Sequence, residues 1–408
     1  MGKLSEDLDF DFRRNGSLVL CFDEKDIVNL EKLKIQGLKN GVEELEIISG
    51  QEARSIEKSL SDQVVAALYA PTGGIVCPFG MNLAFAENAQ ENGVEFRFNF
   101  RVVGIKKREN FFAVTNGEEE LKARIIVNAS GLYSDDINNS LSSNKLRVKP
   151  RKGQYILFDK VIGDTVDKTI FQLPTNLGKG VLVSPTVHGN LLIGPNALDI
   201  KEKDDLSTTK EGLEEIFEKA ALSVPNIPIN MAITSFSGLR AVGEREDFII
   251  EEPKDLQGFI NAAGIESPGL TASPAIGIMI KDMVVERLKP EKKNSFKEKR
   301  RANVKFSHLS QEEKKKLIEV RPDHGNIICR CEMVTEGEIV DAIKRPLGAR
   351  TLDGLKIRTR AGMGRCQAGF CTPKLINILA RELNISPLEV TKFGRESVLL
   401  TGKDKENI

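Results

Sequence analysis

Residues 258–280 read GFINAAGIESPGLTASPAIGIMI, and the rest of the chain is organised around them. An apolar strand carrying Phe259 and Ile260 runs into a small-residue turn, Ala262-Ala263-Gly264. A loop over 266–269 follows, then a helix carrying Ile276, Ile278, Met279 and Ile280. A strand that ends in a glycine turn and feeds a helix N-terminus brings backbone N–H groups up to an anion or a developing negative charge. Glycines at 264 and 269 let the main chain approach a flat ligand, with the positive end of the helix dipole facing it. An ordinary strand-turn-helix crossover has the same local pattern.

A second junction weighs against coincidence. The strand at 124–127 ends in Asn128-Ala129-Ser130-Gly131 and feeds a helix, and its text is related to Asn261-Ala262-Ala263-Gly264. If both strands lie in one parallel sheet, both turns open at the carboxyl edge, where open α/β sheets bind ligands. Between the junctions, 148–247 changes to short β-type runs at 154–158, 169–172, 180–184 and 190–193, interrupted by one helix over 207–221 that starts at Thr208-Thr209. An antiparallel sheet covering the parallel one would leave a substrate pocket between them. Upstream, helices are expected at 1–12, 26–40 and 52–60, and strands at 18–22, 45–48 and 64–69. A turn at 71–78 leads to a helix ending at Asn92-Gly93. Strands follow at 94–98, 102–106, 111–115 and 121–127, the last two joined by an Asn116-Gly117 hairpin signal.

A chain of 408 residues predicts two or three domains with ample core. The 59 Lys and Arg balance 59 Asp and Glu, so no global charge recruits nucleic acid or a membrane surface. No run is long enough to span a bilayer, and the N-terminal text is acidic where a signal peptide is basic, which predicts a cytoplasmic protein. Six cysteines are too few for a disulfide scaffold, and four crowd into the last fifth. Cys21 and Cys77 read as buried small hydrophobes.

Those four, Cys329-Arg330-Cys331 and Cys366 to Cys371, follow a basic stretch at 289–316 that reads as a solvated linker. Thiolates from two short loops can close a tetrahedral zinc site or hold a [2Fe–2S] cluster. One residue between the first pair is tighter than structural zinc loops use, and Gly362, Gly364 and Gly369 expose N–H groups that can bond cluster sulfurs, which favours the cluster. Arg330, Arg358, Arg360 and Arg365 are expected to lower the thiol pKa values and offset cluster charge. Capping boxes at Thr335/Glu338 and Ser386/Glu389 predict a small all-helical module around the metal.

Cys-x-Cys, a spacer and Cys-x-x-x-x-Cys between short helices resembles the bacterioferritin-associated ferredoxin type of [2Fe–2S] domain. From 8 to 288, the segments 13–20, 71–78, 152–155, 189–195 and 238–240 resemble flavin-dependent oxidoreductases of the D-amino-acid oxidase superfamily. Within it the likeness is nearest to bacterial glycerol-3-phosphate dehydrogenases that carry the same C-terminal domain. The resemblance implies an α/β fold. An incomplete FAD-binding doubly wound domain (71–147 and 248–288) is joined to an antiparallel β-rich substrate domain (148–247, with 1–70 as its N-terminal part). A linker (289–323) and a small all-α iron–sulfur domain (324–408) follow. The family's G-x-G-x-x-G unit for the FAD pyrophosphate does not occur in this text. The reading is therefore an internal start methionine or a true truncation, with weak FAD binding by the chain as written and firm binding by its intact form.

The implied chemistry is hydride transfer from an alcohol carbon to flavin, with electrons passed on by a [2Fe–2S] cluster. Asn128, Ala129, Gly131, Gly264, Ile265, Glu266, Ser267, Gly269, Leu270 and Thr271 are the expected flavin contacts, and Cys329, Cys331, Cys366 and Cys371 the metal ligands. Arg240 is the candidate clamp for an anionic substrate, or else a salt-bridge residue. Tyr155 is a substrate hydrogen-bond donor or a packing residue, and His188 a proton-transfer group or an exposed turn histidine. The expected partners are a small anionic substrate and a redox protein or other electron acceptor, with no nucleic acid and no transmembrane segment. Two alternatives stand: a 2-hydroxy acid or amine dehydrogenase, and a non-catalytic electron-transfer subunit.

Overall fold

The computed structural model describes residues 1–174, 180–245, 247–394 and 396–402. The expected end of the last domain at 408 lies outside them.

The two glycine junctions lie side by side. The strand Phe259–Ala263 pairs in parallel with Ile126–Asn128, in a register that sets Asn261 opposite Asn128, and Ile249–Glu251 adds an antiparallel third strand. Every residue of Phe259–Ala263 is buried, as expected for a strand covered on both faces, with Asn261 its one polar side chain. The helix Gly269–Leu288 follows, and the 3-10 turn Gly131–Tyr133 with helix Ser134–Leu141 follows the other strand.

Beside this stands a sheet of nine strands among the described residues. Its spine is the long antiparallel pair Val148–Phe158 and Ala232–Gly243. The chain's first third joins the same sheet, because Ser17–Cys21 pairs in parallel with Thr169–Gln172 and antiparallel with Ala66–Ala70. Leu18, Leu20, Ile170, Val183, Leu191 and Ile193 point to one face and bury against Ile216 and Ala220 of the helix Lys210–Ser223. That helix starts where its text said it should: Thr209 accepts a hydrogen bond from the Gly212 N–H.

The iron–sulfur module packs helices Glu336–Lys344, Leu352–Thr359 and Thr372–Leu383 around Ile339, Leu355 and Leu379. It is not entirely helical, since Ile327–Cys329 and Val334–Thr335 form a small antiparallel ribbon that presents the first two cysteines. Thr335 closes the expected capping box with Glu338.

Three other expectations change. Residues 94–98 form no strand: no neighbour offers a ladder, and Phe98 is 70% exposed. The run at 121–127 splits into Glu120–Ala123 and Ile126–Asn128, because the chain leaves a separate three-stranded antiparallel sheet there and enters the mixed one. The basic stretch is solvated only in part. Arg300 and Phe306 are buried, and the helix Gln311–Val320 begins before residue 316.

Candidate functional site

At the carboxyl edge of the parallel strands, Gly131 and Gly264 both adopt positive φ, 58° and 62°, the left-handed region that glycine enters without strain. The Gly264 main chain presses against the end of the long pair: a Cβ placed at Gly243 would lie 3.2 Å from the Gly264 Cα. The turn Gly131–Tyr133 packs on both strands of that pair. The two turns and the sheet therefore bound one cleft. Asn128 is buried and its side-chain amide is used inside the protein, donating to the Ser134 carbonyl and, at 2.9 Å, to Asn261 Oδ1. It locks the two junctions together instead of reaching a ligand with its side chain. Ala129, Gly131, Ser267, Leu270 and Thr271 line the exposed rim, with Ile265, Glu266 and Gly269 half-buried behind them.

On the sheet, the antiparallel register pairs Gly153 with Gly238, Tyr155 with Phe236 and Arg151 with Arg240. Side chains two apart on a strand share a face, so this face carries an aromatic wall, a bare glycine floor and two guanidiniums in sequence. Tyr155 and Phe236 stack with centroids 5.0 Å apart and planes at 11°. Nothing lies within 4 Å of where a Gly238 Cβ would be, whereas a Gly153 Cβ would meet Arg240 Nη2 at 2.7 Å. Arg240 thus lies flat over Gly153, donating to the Asn196 carbonyl at 3.2 Å, and carries no carboxylate partner among the described residues. Arg151 is bound to Asp199 at 2.5 Å, and the nearby Glu266 carboxylate, from the loop after Gly264, adds to that field. Positive-φ glycines, an open floor and the N-terminus of a long helix fit the ring side of a flat flavin.

The cysteines stand two and two. Cys331 Sγ lies 3.7 Å from Cys366 Sγ, and Cys329 and Cys371 are close enough for the charge of one to raise the pKa of the other. Cys329 and Cys371 are buried and Cys331 is exposed. Among the described residues no three His, Cys, Asp or Glu side chains converge on one metal position. Two pairs suit the two irons of a [2Fe–2S] cluster better than one zinc. Burial pushes the Cys371 thiol up to about 12, with the Cys329 charge adding to it. Burial also acts to raise Cys366, but N–H groups of Phe370, Ala368 and Gly369 turn toward its sulfur and bring it below the ordinary thiol value. That nest, with Gln367 and Ala368 at positive φ, supplies the stabilisation expected of arginines. Three of the four arginines have other partners, although Arg365 also lies within the field of Cys331. Arg365 pairs with Asp159 at 2.6 Å, Arg360 with Glu332 at 2.8 Å, and Arg358 donates to backbone carbonyls.

His188 is not brought to this cleft. It sits in the turn between Leu182–Pro185 and Leu191–Gly194, against the iron–sulfur module, with its side chain only 17% exposed and Nδ1 3.9 Å from Asp11. Burial and the nearby Arg360 charge pull its pKa down to about 4.

Residues 2–283 match the family described as DAO, FAD dependent oxidoreductase. The chain belongs to that family. It is a flavin-dependent oxidoreductase, and residues 327–381 match the BFD-like [2Fe–2S] binding domain. Over 407 residues it is 50% identical to a glycerol 3-phosphate dehydrogenase of Caloramator mitchellensis, covering 100% of this chain and 85% of the relative. It is 31% identical over 277 residues to a glycerol 3-phosphate oxidase of Mycoplasma pneumoniae, covering 66% of this chain and 72% of that one. A dithionite-reduced, FAD-bound structure of the L-alpha-glycerophosphate oxidase from the same organism superposes with a TM-score of 0.67 at 30% identity, over 71% of this chain and 77% of that chain. No helix among the described residues is long and apolar enough to cross a membrane.

Phe236, Gly153, Gly238, Arg151 and Asn196 were not among the expected site residues. The glycines in Lys152-Gly153-Gln154 and Ser237-Gly238-Leu239 are ordinary locally, and only the cross-strand register makes them a floor.

Proposed function

We propose that this protein oxidises glycerol 3-phosphate at its secondary alcohol and delivers the electrons to an acceptor that meets the exposed edge of the iron–sulfur domain. The observation that carries this reading is the Arg240 guanidinium, laid over Gly153 with no carboxylate partner among the described residues and beside the open space over Gly238. A planar cation so placed suits a phosphate monoester, and the floor leaves room for a three-carbon body against the Tyr155–Phe236 wall. The names of the two relatives support the same substrate. When bound, the flavin accepts hydride from the alcohol carbon and the cluster passes electrons on one at a time. The protein's own part is to hold the phosphate at Arg240, exclude water with the aromatic wall, and direct the N-terminus of Gly269–Leu288 at the ring edge that gains charge. Cys331, Arg330 and the 85% exposed Phe370 form the face an acceptor would touch.

The test is anaerobic mixing of the FAD-loaded protein with glycerol 3-phosphate and, separately, with L-2-hydroxyglutarate and proline. Flavin bleaching by glycerol 3-phosphate alone is expected. Bleaching by a 2-hydroxy acid or amine, with glycerol 3-phosphate inert, would replace this reading.

A further inference from the structure

A second cavity, of about 330 Å³, lies away from the flavin cleft, where the iron–sulfur module meets the helix Pro78–Glu91 and the 300–308 segment. Eight Lys or Arg side chains line it against six carboxylates. At its inner end is Glu87, 2% exposed, whose Oε2 takes Arg300 Nε at 2.7 Å and Arg345 Nη2 at 2.7 Å. Burial works against this carboxylate's charge, yet the two guanidiniums hold its pKa below the ordinary value. A third guanidinium, Arg358, lies within the field of the same carboxylate but is not bonded to it. Arg358 donates to the Gly354 and Leu347 carbonyls, and its Nε is buried with no partner. Two arginines are thus bonded to this carboxylate, and a third stands in its field without a bond.

Taking guanidiniums out of water is costly unless charge and hydrogen bonds are returned, and the cavity's eight cations outnumber its six carboxylates. We infer that this interdomain cavity is a binding site for a small phosphate-type dianion, held by Arg358 with Arg345 and Arg300. A buried Arg358 Nε–H without a protein acceptor among the described residues, in a space with a surplus of cations, suits such an anion, and the volume admits inorganic phosphate or the head of a small phosphate ester. The inference does not depend on the substrate reading, since Arg240 belongs to a different cleft.

The test is calorimetric titration of sodium phosphate into the full Arg240→Ala chain with its cluster in place, so that the other cleft does not report, in chloride buffer of matched ionic strength. Saturable binding of one phosphate per chain is expected. Arg358→Gln should weaken it by at least about tenfold, and Arg358→Lys should recover part of the loss. Lys219→Gln, on an exposed ion pair of the helix Lys210–Ser223, should change nothing. If Arg358→Gln loses its cluster absorbance and cannot be read, Arg358→Lys, which keeps the charge, still decides. Titration of glycerol 3-phosphate into an Arg240→Ala background distinguishes the sources: binding that depends on Arg358 assigns an ester head, and its absence beside phosphate binding assigns the free ion. No heat with phosphate, or unchanged affinity in Arg358→Gln or, where that cannot be read, in Arg358→Lys, would each overturn the inference.

Discussion

At the scale of single residues, the cleft depends on Arg240 having neither a carboxylate nor a side chain beneath it. Arg240→Ala should lower kcat/KM for glycerol 3-phosphate by roughly ten- to a hundredfold, the loss of one charge-assisted contact of about 1.5–3 kcal/mol. Arg240→Lys should recover only part, because an ammonium has no bidentate fork. Steady-state kinetics on FAD-loaded protein checks this, and unchanged kinetics would remove Arg240 from the site. His188 makes the other residue-scale prediction. Its ordinary pKa of 6.5 falls to about 4 in the folded chain, through burial first and then the Arg360 charge, with Lys160 and Lys305 adding to it and Asp11 opposing. Between those values the unfolded chain binds a proton that the folded chain does not. The stability His188 contributes is therefore whole above 6.5 and is lost as the pH falls toward 4. Tm should drop more steeply over that range in the native protein than in His188→Gln, and parallel Tm curves would contradict the burial argument. Both residues stood out in the text. Arg240 followed a glycine and belonged to a recognisable segment. The burial of His188 could not be read, because it arises from a module more than a hundred residues away in the sequence.

At the scale of elements, the best-read features were those whose chemistry is local. The two strand-glycine-helix junctions, the Thr335 and Ser386 caps and the paired cysteine loops each need particular residues within a few positions, and each appears in the structure. The strand Ala232–Gly243 was missed because Thr234, Ser235, Ser237 and Gly238 give it no apolar alternation; its pairing along all of Val148–Phe158 creates it. Residues 94–98 failed in the opposite sense, with the right residues and no partner. The cysteine loops carry their own prediction. Gly364 packs so closely on the first loop that a Cβ there would lie 2.2 Å from the Cys331 Cβ. Anaerobically purified protein should be reddish-brown and give an EPR signal on reduction, while Gly364→Ala should lose both the colour and the signal. A Gly364→Ala protein with full cluster content would show that the two loops are not held at the separation described here.

At the scale of the whole molecule, the basic segment at 289–299 looks like a tether between independent bodies, yet ion pairs on either side of it join those bodies firmly. Glu332, beside Cys331 and only 3% exposed in its side chain, takes Lys160 at 2.9 Å from the β-rich domain and Arg360 from its own. Arg365 reaches Asp159, and Arg345 reaches Glu87. Exposed surface pairs contribute little, but removing one partner of a buried pair leaves an uncompensated charge and costs about 3–5 kcal/mol. Glu332 and Glu87 are each shared by two cations, so they are the joints that matter. Trypsin should therefore cut the native chain among the exposed Lys292, Lys293, Lys297 and Lys299 without separating its parts, and the nicked protein should elute as one species in size exclusion. The double variant Glu332→Ala, Glu87→Ala should release a cluster-bearing fragment on the same treatment, because four cations then face one another across the boundary with no carboxylate between them. Moderate salt should not split the nicked native protein, since buried pairs are screened much less than exposed ones. Separation of the native fragments in low salt would mean that the cluster domain swings on its linker. Electron delivery would then require a docking step in place of the fixed path these contacts provide.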